Sequence, residues 1–157
     1  MLCCDKPDTV PSGTESDLNL VFVNIEGIKN MCQSLDYLKK FHLIICAETW
    51  NEVNDNMVSG YKKVGETFAK KNCTKKGRKS GGIVVFARDE IFHRIQVNKD
   101  CKPSHNTIIF EIDDIACIAT YRTPEGSVYF EKDYFKQLRD TIAVSYTHLT
   151  LPTILRV

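Results

Sequence analysis

The sequence predicts an α/β domain whose sheet is partly parallel and partly antiparallel. Near the start (18–49), a short apolar segment, a segment of helical periodicity and a second apolar segment follow one another within the ~30 residues of a parallel βαβ unit. Further along, short apolar segments alternate with brief acidic turns, which is typical of antiparallel hairpins. A periodic segment near the end predicts one more helix.

The predicted βαβ unit contains two strands and one helix. The segment "LNLVFVN" (18–24) is rich in β-branched and aromatic residues, and "HLIICAET" (42–49) is a second apolar run, so both predict strands. Between them, apolar residues recur at steps of three and four. They predict a helix over 28–40 whose apolar face contains Ile28, Met31, Leu35 and Leu38.

The middle of the chain predicts further strands around a basic loop. "GYKKVGETF" (60–68) is a strand candidate, and "AKKNCTKKGRKS" (69–80) follows it. "GGIVVFAR" (81–88) and "IFHRIQVN" (91–98) fit a hairpin with an Asp-Glu turn between them.

A second hairpin and a helix are predicted after residue 105. "NTIIFEI" (106–112) and "IACIATYR" (115–122) fit two strands joined at an Asp-Asp turn. Apolar residues at four-residue spacing then predict a helix over 128–143, with Ser127 as its N-cap. Those residues are Phe130, Tyr134, Leu138 and Ile142.

Composition sets the broad class of the protein. The chain has 157 residues, 43% hydrophobic and 26% charged, which is ordinary for one soluble domain with one core. A net charge of +1 indicates no anionic partner by itself, and no apolar run approaches the ~18 residues of a membrane span. Seven cysteines without a CxxC pair or zinc spacing indicate a reducing compartment, so we expect a nuclear or cytoplasmic protein without structural zinc.

Both ends of the chain differ from the part between them. Residues 1–17 are polar and contain two prolines, which predicts a flexible N-terminal segment without a signal peptide. The last segment, "VSYTHLTLPTILRV" (144–157), loses the helical period and resembles the translation of a sequencing adapter. We therefore expect the native domain to span 18–143, with a short native terminal strand as the alternative for the tail.

Polar side chains end both strands of the predicted βαβ unit. Asn24 ends the first strand and Glu48 ends the second. Functional groups collect at the carboxyl ends of parallel strands, so both side chains are expected at one edge of the sheet. A carboxylate beside an amide suits magnesium, which could polarise a phosphoryl oxygen there. On these residues alone, two ordinary solvated strand ends remain the alternative.

An ordered set of motifs gives this edge a more specific interpretation. "NLVFVNIEGIKN", "LDYLKKFHLIICAETW", "SGY", "GRKSGGIVVFAR" and "IATYRTPEGSVYF" follow one another with fitting spacing. Together they resemble the endonuclease/exonuclease/phosphatase superfamily, in particular the apurinic-type endonuclease domain of LINE-type retrotransposons, from Leu18 to Ala143. The resemblance implies half of a four-layer α/β/β/α sandwich, with one mixed sheet and helices on one face.

The resemblance also implies roles for individual residues. Asn24 and Glu48 match the metal-binding asparagine and glutamate of the family, which implies Mg²⁺ or Mn²⁺ as cofactor. Tyr121 matches a tyrosine whose hydroxyl contacts the phosphate, and an aromatic residue capping the edge of the core is the alternative. Arg122 and Ser127 lie in the same loop and are candidates for backbone or phosphate contacts.

A basic segment supplies the remaining candidate DNA contacts. Basic loops can follow a nucleic-acid backbone, although most are simply solvated. Gly81 and Gly82 follow this segment and allow tight backbone geometry before the next strand. The candidate DNA-binding residues are Lys75, Lys76, Arg78 and Lys79, together with Arg122, and Lys70 and Lys71 belong to the same run.

The resemblance covers only part of the family's catalytic residues. A later Gly-Asp-x-Asn segment and a terminal Ser-Asp-His segment of the family do not occur in this sequence. The expected function is therefore a Mg²⁺-dependent DNA endonuclease domain that is truncated and inactive as written, with a reverse transcriptase as a possible C-terminal partner in the full protein. Two alternatives stay open: another phosphoesterase of the superfamily, acting on inositol phosphate, sphingomyelin or poly(A), and a non-catalytic fragment or half-domain that only binds a partner.

Overall fold

The computed structural model describes most of the segment that the sequence predicts as one domain. The predicted flexible segment (1–17), the basic loop and the unusual tail (144–157) lie outside the described residues, so the predictions made for them stay predictions. The described residues are 18–67, 81–97, 106–125, 130 and 132–143.

Four strands form a mixed sheet. They are β1 (Leu20–Asn24), β2 (Leu43–Ala47), β3 (Tyr61–Glu66) and β4 (Ile83–Arg88). Their order is β1-β2-β4-β3. β1 and β2 are parallel, whereas β4 is antiparallel to both β2 and β3, so the predicted parallel pair is confirmed. All five residues of β2 are buried, because this strand has neighbours on both sides.

The connection between β1 and β2 is helical, but most of it is not an α-helix. A 3₁₀ helix spans Ile28–Ser34, and a single α-helical turn, α1, spans Leu35–Leu38. The predicted helix over 28–40 is therefore present, but it ends at Leu38 and is mainly a 3₁₀ helix. A three-residue step such as Ile28 to Met31 fits a 3₁₀ helix as well as an α-helix, and both residues are buried as predicted.

Three further strands form a second, antiparallel sheet. They are β5 (Ile95–Val97), β6 (Thr107–Ile112) and β7 (Ile115–Thr120), in the order β5-β6-β7. The predicted β6–β7 hairpin is confirmed, with Ile112 opposite Ile115 at its turn. The predicted hairpin between 81–88 and 91–98 is wrong. Both edges of β4 are occupied by β2 and β3, so β5 pairs with β6 after a 3₁₀ turn.

The last described element is a helix, α2, over 134–143. The sequence predicted a start at 128, but Phe130 lies outside the helix, and the predicted cap Ser127 lies outside the described residues. The hydroxyl oxygens of Tyr134 and Thr120 are 2.9 Å apart, within hydrogen-bond distance. This contact attaches the start of α2 to the end of β7.

The four-stranded sheet buries its two faces against different partners. On one face, Ile44, Cys46 and Phe86 pack with the helical connection, and on the other, Ile45, Val85 and Phe110 pack between the two sheets. The predicted α/β class, half of an α/β sandwich, is confirmed, and the strands divide between two sheets rather than one. No helix in the described residues is long and apolar enough to cross a membrane.

Candidate active site

Glu48 leaves the strand geometry directly after β2. Strict alternation would place its side chain on the helical face together with Ile44 and Cys46. Its backbone instead has a φ of 58°, which a non-glycine residue adopts at a cost of about 1–3 kcal/mol. The carboxylate accepts a short hydrogen bond, through Oε1, from the hydroxyl of Tyr121, which is 73 residues further along the chain.

Tyr121 follows β7 and packs against the apolar cluster between the two sheets. Burial raises the pKa of its hydroxyl to about 12, and the hydrogen bond to the Glu48 carboxylate acts in the same direction. At neutral pH the hydroxyl therefore keeps its proton and is a hydrogen-bond donor, not a base. The sequence-predicted pair Glu48 and Tyr121 is thus in direct contact.

The loops after β1 and β2 are locked together at this edge. The amide of Gly27 donates to the carbonyl of Glu48 at 2.7 Å, and the amide of Ile28 donates to the carbonyl of Thr49 at 2.9 Å. Gly27 has a φ of 111°, and a Cβ atom there would lie 2.9 Å from Cε3 of Trp50. Only glycine fits this position, which fixes the backbone on which Glu48 sits.

Asn24 lies at the neighbouring strand end, as the sequence predicted. Its Cα is in register with that of Ala47, one residue before Glu48. The side chain is exposed, and its Oδ1 accepts a hydrogen bond from the amide of Glu26 at 3.1 Å. Alternation places Asn24 on the face opposite Val21 and Val23, which pack with the helical connection. Asn24 therefore shares the inter-sheet side of the sheet with Tyr121.

These residues fit a magnesium ion in part. Mg²⁺ is commonly held by one or two carboxylates together with water and substrate phosphate. Glu48 is half-buried and supplies one carboxylate, and Asn24 supplies an amide oxygen. Within the described part of the chain, no group of three His, Cys, Asp or Glu side chains is arranged to hold a metal ion. The donor set suits an open, water-rich Mg²⁺ site and not a closed cage.

The candidate DNA-binding residues fall into two groups. Lys75, Lys76, Arg78 and Lys79 lie outside the described residues. Arg122 is described: its Nη2 is 2.7 Å from the Glu125 carboxylate, and its guanidinium lies over the rings of Phe130 and Phe135, 5.2 and 4.8 Å from their centroids. A phosphate at Arg122 would therefore compete with an existing ion pair.

Asn106 and Thr49 were not identified from the sequence. Asn106 precedes β6, and its side-chain oxygen accepts a hydrogen bond from the amide of Gly82 at 3.3 Å. Thr49, next to Glu48, is fully buried, and its hydroxyl has no hydrogen-bond partner among the described residues. The sequence predicted only a strand that begins at Asn106, and a turn-forming asparagine at such a position is its single local signal.

This fold, half of an α/β sandwich with polar groups at one strand edge, has solved counterparts. The 3'-5' exonuclease NExo from Neisseria meningitidis matches with a TM-score of 0.55 and 11% identity, over 83% of this chain and 53% of that one. The Neisseria 3' phosphatase NExo bound to a product DNA hairpin matches with a TM-score of 0.47 and 10% identity, over 89% and 54%. The chain thus spans about half the length of these structures, and the first likeness shows a shared fold.

Comparisons by sequence give no assignment. No protein-family model matches the chain, and no curated protein matches it.

Proposed function

We propose that this domain provides the metal- and phosphate-binding part of a Mg²⁺-dependent phosphodiesterase that acts on DNA. The contact between Glu48 and Tyr121 is the observation that supports this proposal most strongly. It joins the end of a strand in one sheet to the end of a strand in the other, and it needs an unusual backbone conformation at Glu48. Such conformations concentrate at functional sites.

Each residue of the site has a distinct task in this proposal. Glu48 and Asn24 would hold the Mg²⁺ ion, which neutralises charge on a bound phosphoryl group. Tyr121, whose hydroxyl stays protonated, would orient the Glu48 carboxylate in the free protein and turn its single O–H to a phosphoryl oxygen when the substrate is bound. Trp50 packs against Gly27 and keeps the two loops from separating when the phosphate enters.

DNA is the substrate class that we propose. The motifs around Glu48 and Tyr121 resemble retrotransposon endonucleases, and the name of NExo, an exonuclease, supports a nucleic-acid substrate. The basic segment precedes Gly81, whose carbonyl accepts a hydrogen bond from the amide of Trp50 at 3.1 Å. Gly81, the first described residue after the basic segment, therefore lies beside the site. The retrotransposon type, and with it a reverse transcriptase in the full protein, rests on the sequence motifs.

Metal binding tests the proposal directly. Mn²⁺, which broadens NMR signals of nearby nuclei, is titrated into the purified chain with and without competing Mg²⁺. We expect selective broadening around Asn24, Glu48 and Tyr121, reversed by Mg²⁺ and lost in Glu48→Gln. Glu52→Gln is the matched control, since Glu52 is exposed only four residues away. Equal broadening in both variants would show that Glu48 is not a metal ligand.

Hydrolysis is tested separately from metal binding. The sequence contains neither the Gly-Asp-x-Asn nor the Ser-Asp-His segment of the resembling family. We therefore propose that the chain alone binds metal and DNA without nicking supercoiled plasmid in Mg²⁺. Robust nicking by the wild type, abolished in Glu48→Gln, would contradict the proposed inactivity while supporting the site. Selective hydrolysis of inositol phosphate, sphingomyelin or poly(A) would favour the alternative phosphoesterases.

A further inference from the structure

A closed circuit of hydrogen bonds connects Glu48 to Tyr121 through the backbone as well as through their side chains. The amide of Thr49 donates to the carbonyl of Gly82 at 3.3 Å, and that of Trp50 donates to the carbonyl of Gly81 at 3.1 Å. These bonds join the residues directly after Glu48 to the segment that leads into β4. The circuit therefore continues from β2 to the start of β4.

Asn106 continues the circuit from the first sheet to the second. Its Oδ1 accepts a hydrogen bond from the amide of Gly82 at 3.3 Å. Its backbone carbonyl accepts from the amide of Tyr121 at 3.0 Å and from the hydroxyl of Thr120 at 3.2 Å. The hydroxyl of Tyr121 then donates to Glu48, which closes the circuit. Among these links, the Asn106 side chain is the one that joins the segment before β4 to the second sheet.

The backbone around the Asn106 side chain leaves it little freedom. Gly81 has a φ of 73°, and a Cβ atom there would lie 3.0 Å from Oδ1 of Asn106. Such a contact is closer than an ordinary van der Waals contact, so a side chain at position 81 would displace the amide. Gly81 thus makes room for Asn106, which is half-buried at the boundary between the sheets.

We propose that Asn106 is a positioning residue that sets the distance between Tyr121 and Glu48 across the two sheets. The inference rests on the proposed function of Glu48 as a metal ligand, because its consequence is a carboxylate held at a fixed place. Asn106 touches neither the carboxylate nor the Tyr121 hydroxyl directly; it acts through the backbone of Gly82 and Tyr121. Residues that orient a metal ligand typically change metal affinity by 10–100-fold when they are replaced.

The hydrogen bond from the Tyr121 hydroxyl to Glu48 can be followed at neutral pH without any metal. The reporter is the NMR chemical shift of the tyrosine ring carbon that bears the hydroxyl, with Tyr121→Phe to assign the signal and Glu48→Ala to give the shift without the acceptor. In Asn106→Ala we expect the signal to move from its wild-type position toward that of Glu48→Ala, because the hydroxyl loses its contact with Glu48. An unchanged chemical shift in a folded Asn106→Ala protein would overturn the proposal.

Two further substitutions separate positioning from general destabilisation. Asn106→Asp keeps an acceptor oxygen at the same place and is expected to keep the hydrogen-bonded chemical shift of Tyr121. Asn106→Gln has the same amide on a longer side chain, and we expect it to move the Tyr121 signal toward that of Glu48→Ala while preserving more of the packing than alanine does. A wild-type chemical shift in Asn106→Gln, or an alanine-like shift in Asn106→Asp, would contradict the inference.

Asn54→Ala is the matched control. The Oδ1 of Asn54 also accepts a backbone amide hydrogen bond, from Asn56 at 3.1 Å, but in an exposed local turn. This variant loses the same kind of bond and is expected to leave the chemical shift of the Tyr121 signal unchanged. A shifted Tyr121 signal in Asn54→Ala would mean that the signal follows general stability, which would overturn the role assigned to Asn106.

The consequence for metal binding is measured last, by Mg²⁺ competition against Mn²⁺. We expect about 10-fold weaker binding in Asn106→Ala and an affinity no weaker than that of the wild type in Asn106→Asp, whose added carboxylate also attracts the ion. If the wild type binds no divalent ion while the Tyr121 chemical shift still moves in Asn106→Ala, the proposed function fails and Asn106 still positions the pair. If the wild type binds metal and Asn106→Ala binds it equally well, the positioning role fails and the proposed function stands.

Discussion

β2 and β1 are parallel neighbours of equal length, yet their surroundings differ sharply. All five residues of β2 are buried, because β1 and β4 flank it and both of its faces are covered. β1 lies at the edge of its sheet, and its residues alternate between exposed and half-buried. Leu20 and Phe22, on the face opposite the helical connection, are 48% and 45% exposed.

The candidate site lies where these two surroundings meet. Glu48 extends from the covered strand, whereas Asn24 extends from the uncovered one. β7 of the second sheet ends at Thr120, and the hydroxyl of the next residue, Tyr121, donates to Glu48. The comparison indicates that the buried strands provide stability and that the edge strand provides access. Asn24 is therefore accessible from the open side of β1, away from the packing that holds Glu48.

Replacing buried and exposed phenylalanines is the strongest test of this comparison. Phe86 in β4 is fully buried, so Phe86→Ala is expected to lower the free energy of unfolding by about 3–5 kcal/mol. Phe22→Ala removes the same atoms from a half-exposed site and is expected to cost less than about 1 kcal/mol. Urea unfolding followed by circular dichroism measures both. Equal losses would mean that the inner face of β1 is covered in solution.

The covered region was the easier part to predict from the sequence. Continuous apolar runs such as 43–47 have no polar position to expose, so their burial follows from composition. Strand pairing was harder, because β5 has the same local pattern whether it pairs with β4 or with β6. The pairing of β5 with β6 is decided by β2 and β3, which occupy both edges of β4.

The candidate site was predictable in its members and not in its geometry. Asn24, Glu48 and Tyr121 follow from strand ends and motif resemblance, but alternation alone would have turned Glu48 toward the helical face. A left-handed backbone at a glutamate has no local sequence signal, because glutamate does not favour it. The position of Asn106 in the site could not be predicted from the sequence, because it depends on contacts with Gly82 and Tyr121, which lie far from it in sequence.

Gly27 tests how firmly the site is attached to the edge strand. Gly27→Ala combines a positive φ with a Cβ atom 2.9 Å from the Trp50 ring, so we expect a loss of about 2–4 kcal/mol. Gly60→Ala is the control, since Gly60 also has a positive φ, of 83°, but a Cβ atom there meets nothing within 4 Å. The expected loss there is only about 1 kcal/mol, from backbone strain. Urea unfolding of both variants, with Trp50 fluorescence for the first, measures the difference in the free energy of unfolding. Equal losses would show that the Trp50 ring moves aside without a loss of stability.

The smallest expected effect is the change with pH in the stability that the Tyr121 hydroxyl contributes. Folding raises the pKa of this hydroxyl from 10.0 to about 12, so its neutral form is favoured in the folded state. The resulting stabilisation is fully present below pH 10 and is lost as the pH rises from 10 toward about 12. Tyr121→Phe has no such group, so the stability difference between wild type and variant should be constant up to pH 10 and then shrink. Cys46, whose pKa burial also raises to about 12, is common to both proteins and cancels in that difference.

Urea unfolding of wild type and Tyr121→Phe at several pH values between 8 and about 11.5 measures this difference. Tyr37→Phe is the matched control, because it removes the same hydroxyl from a side chain that is 57% exposed. A Tyr121→Phe difference that stays flat through pH 11 would mean that the hydroxyl is as open to water as Asn24. Tyr121 would then belong to the exposed part of the site rather than to the packed part. Glu48 would be held in place by its backbone alone.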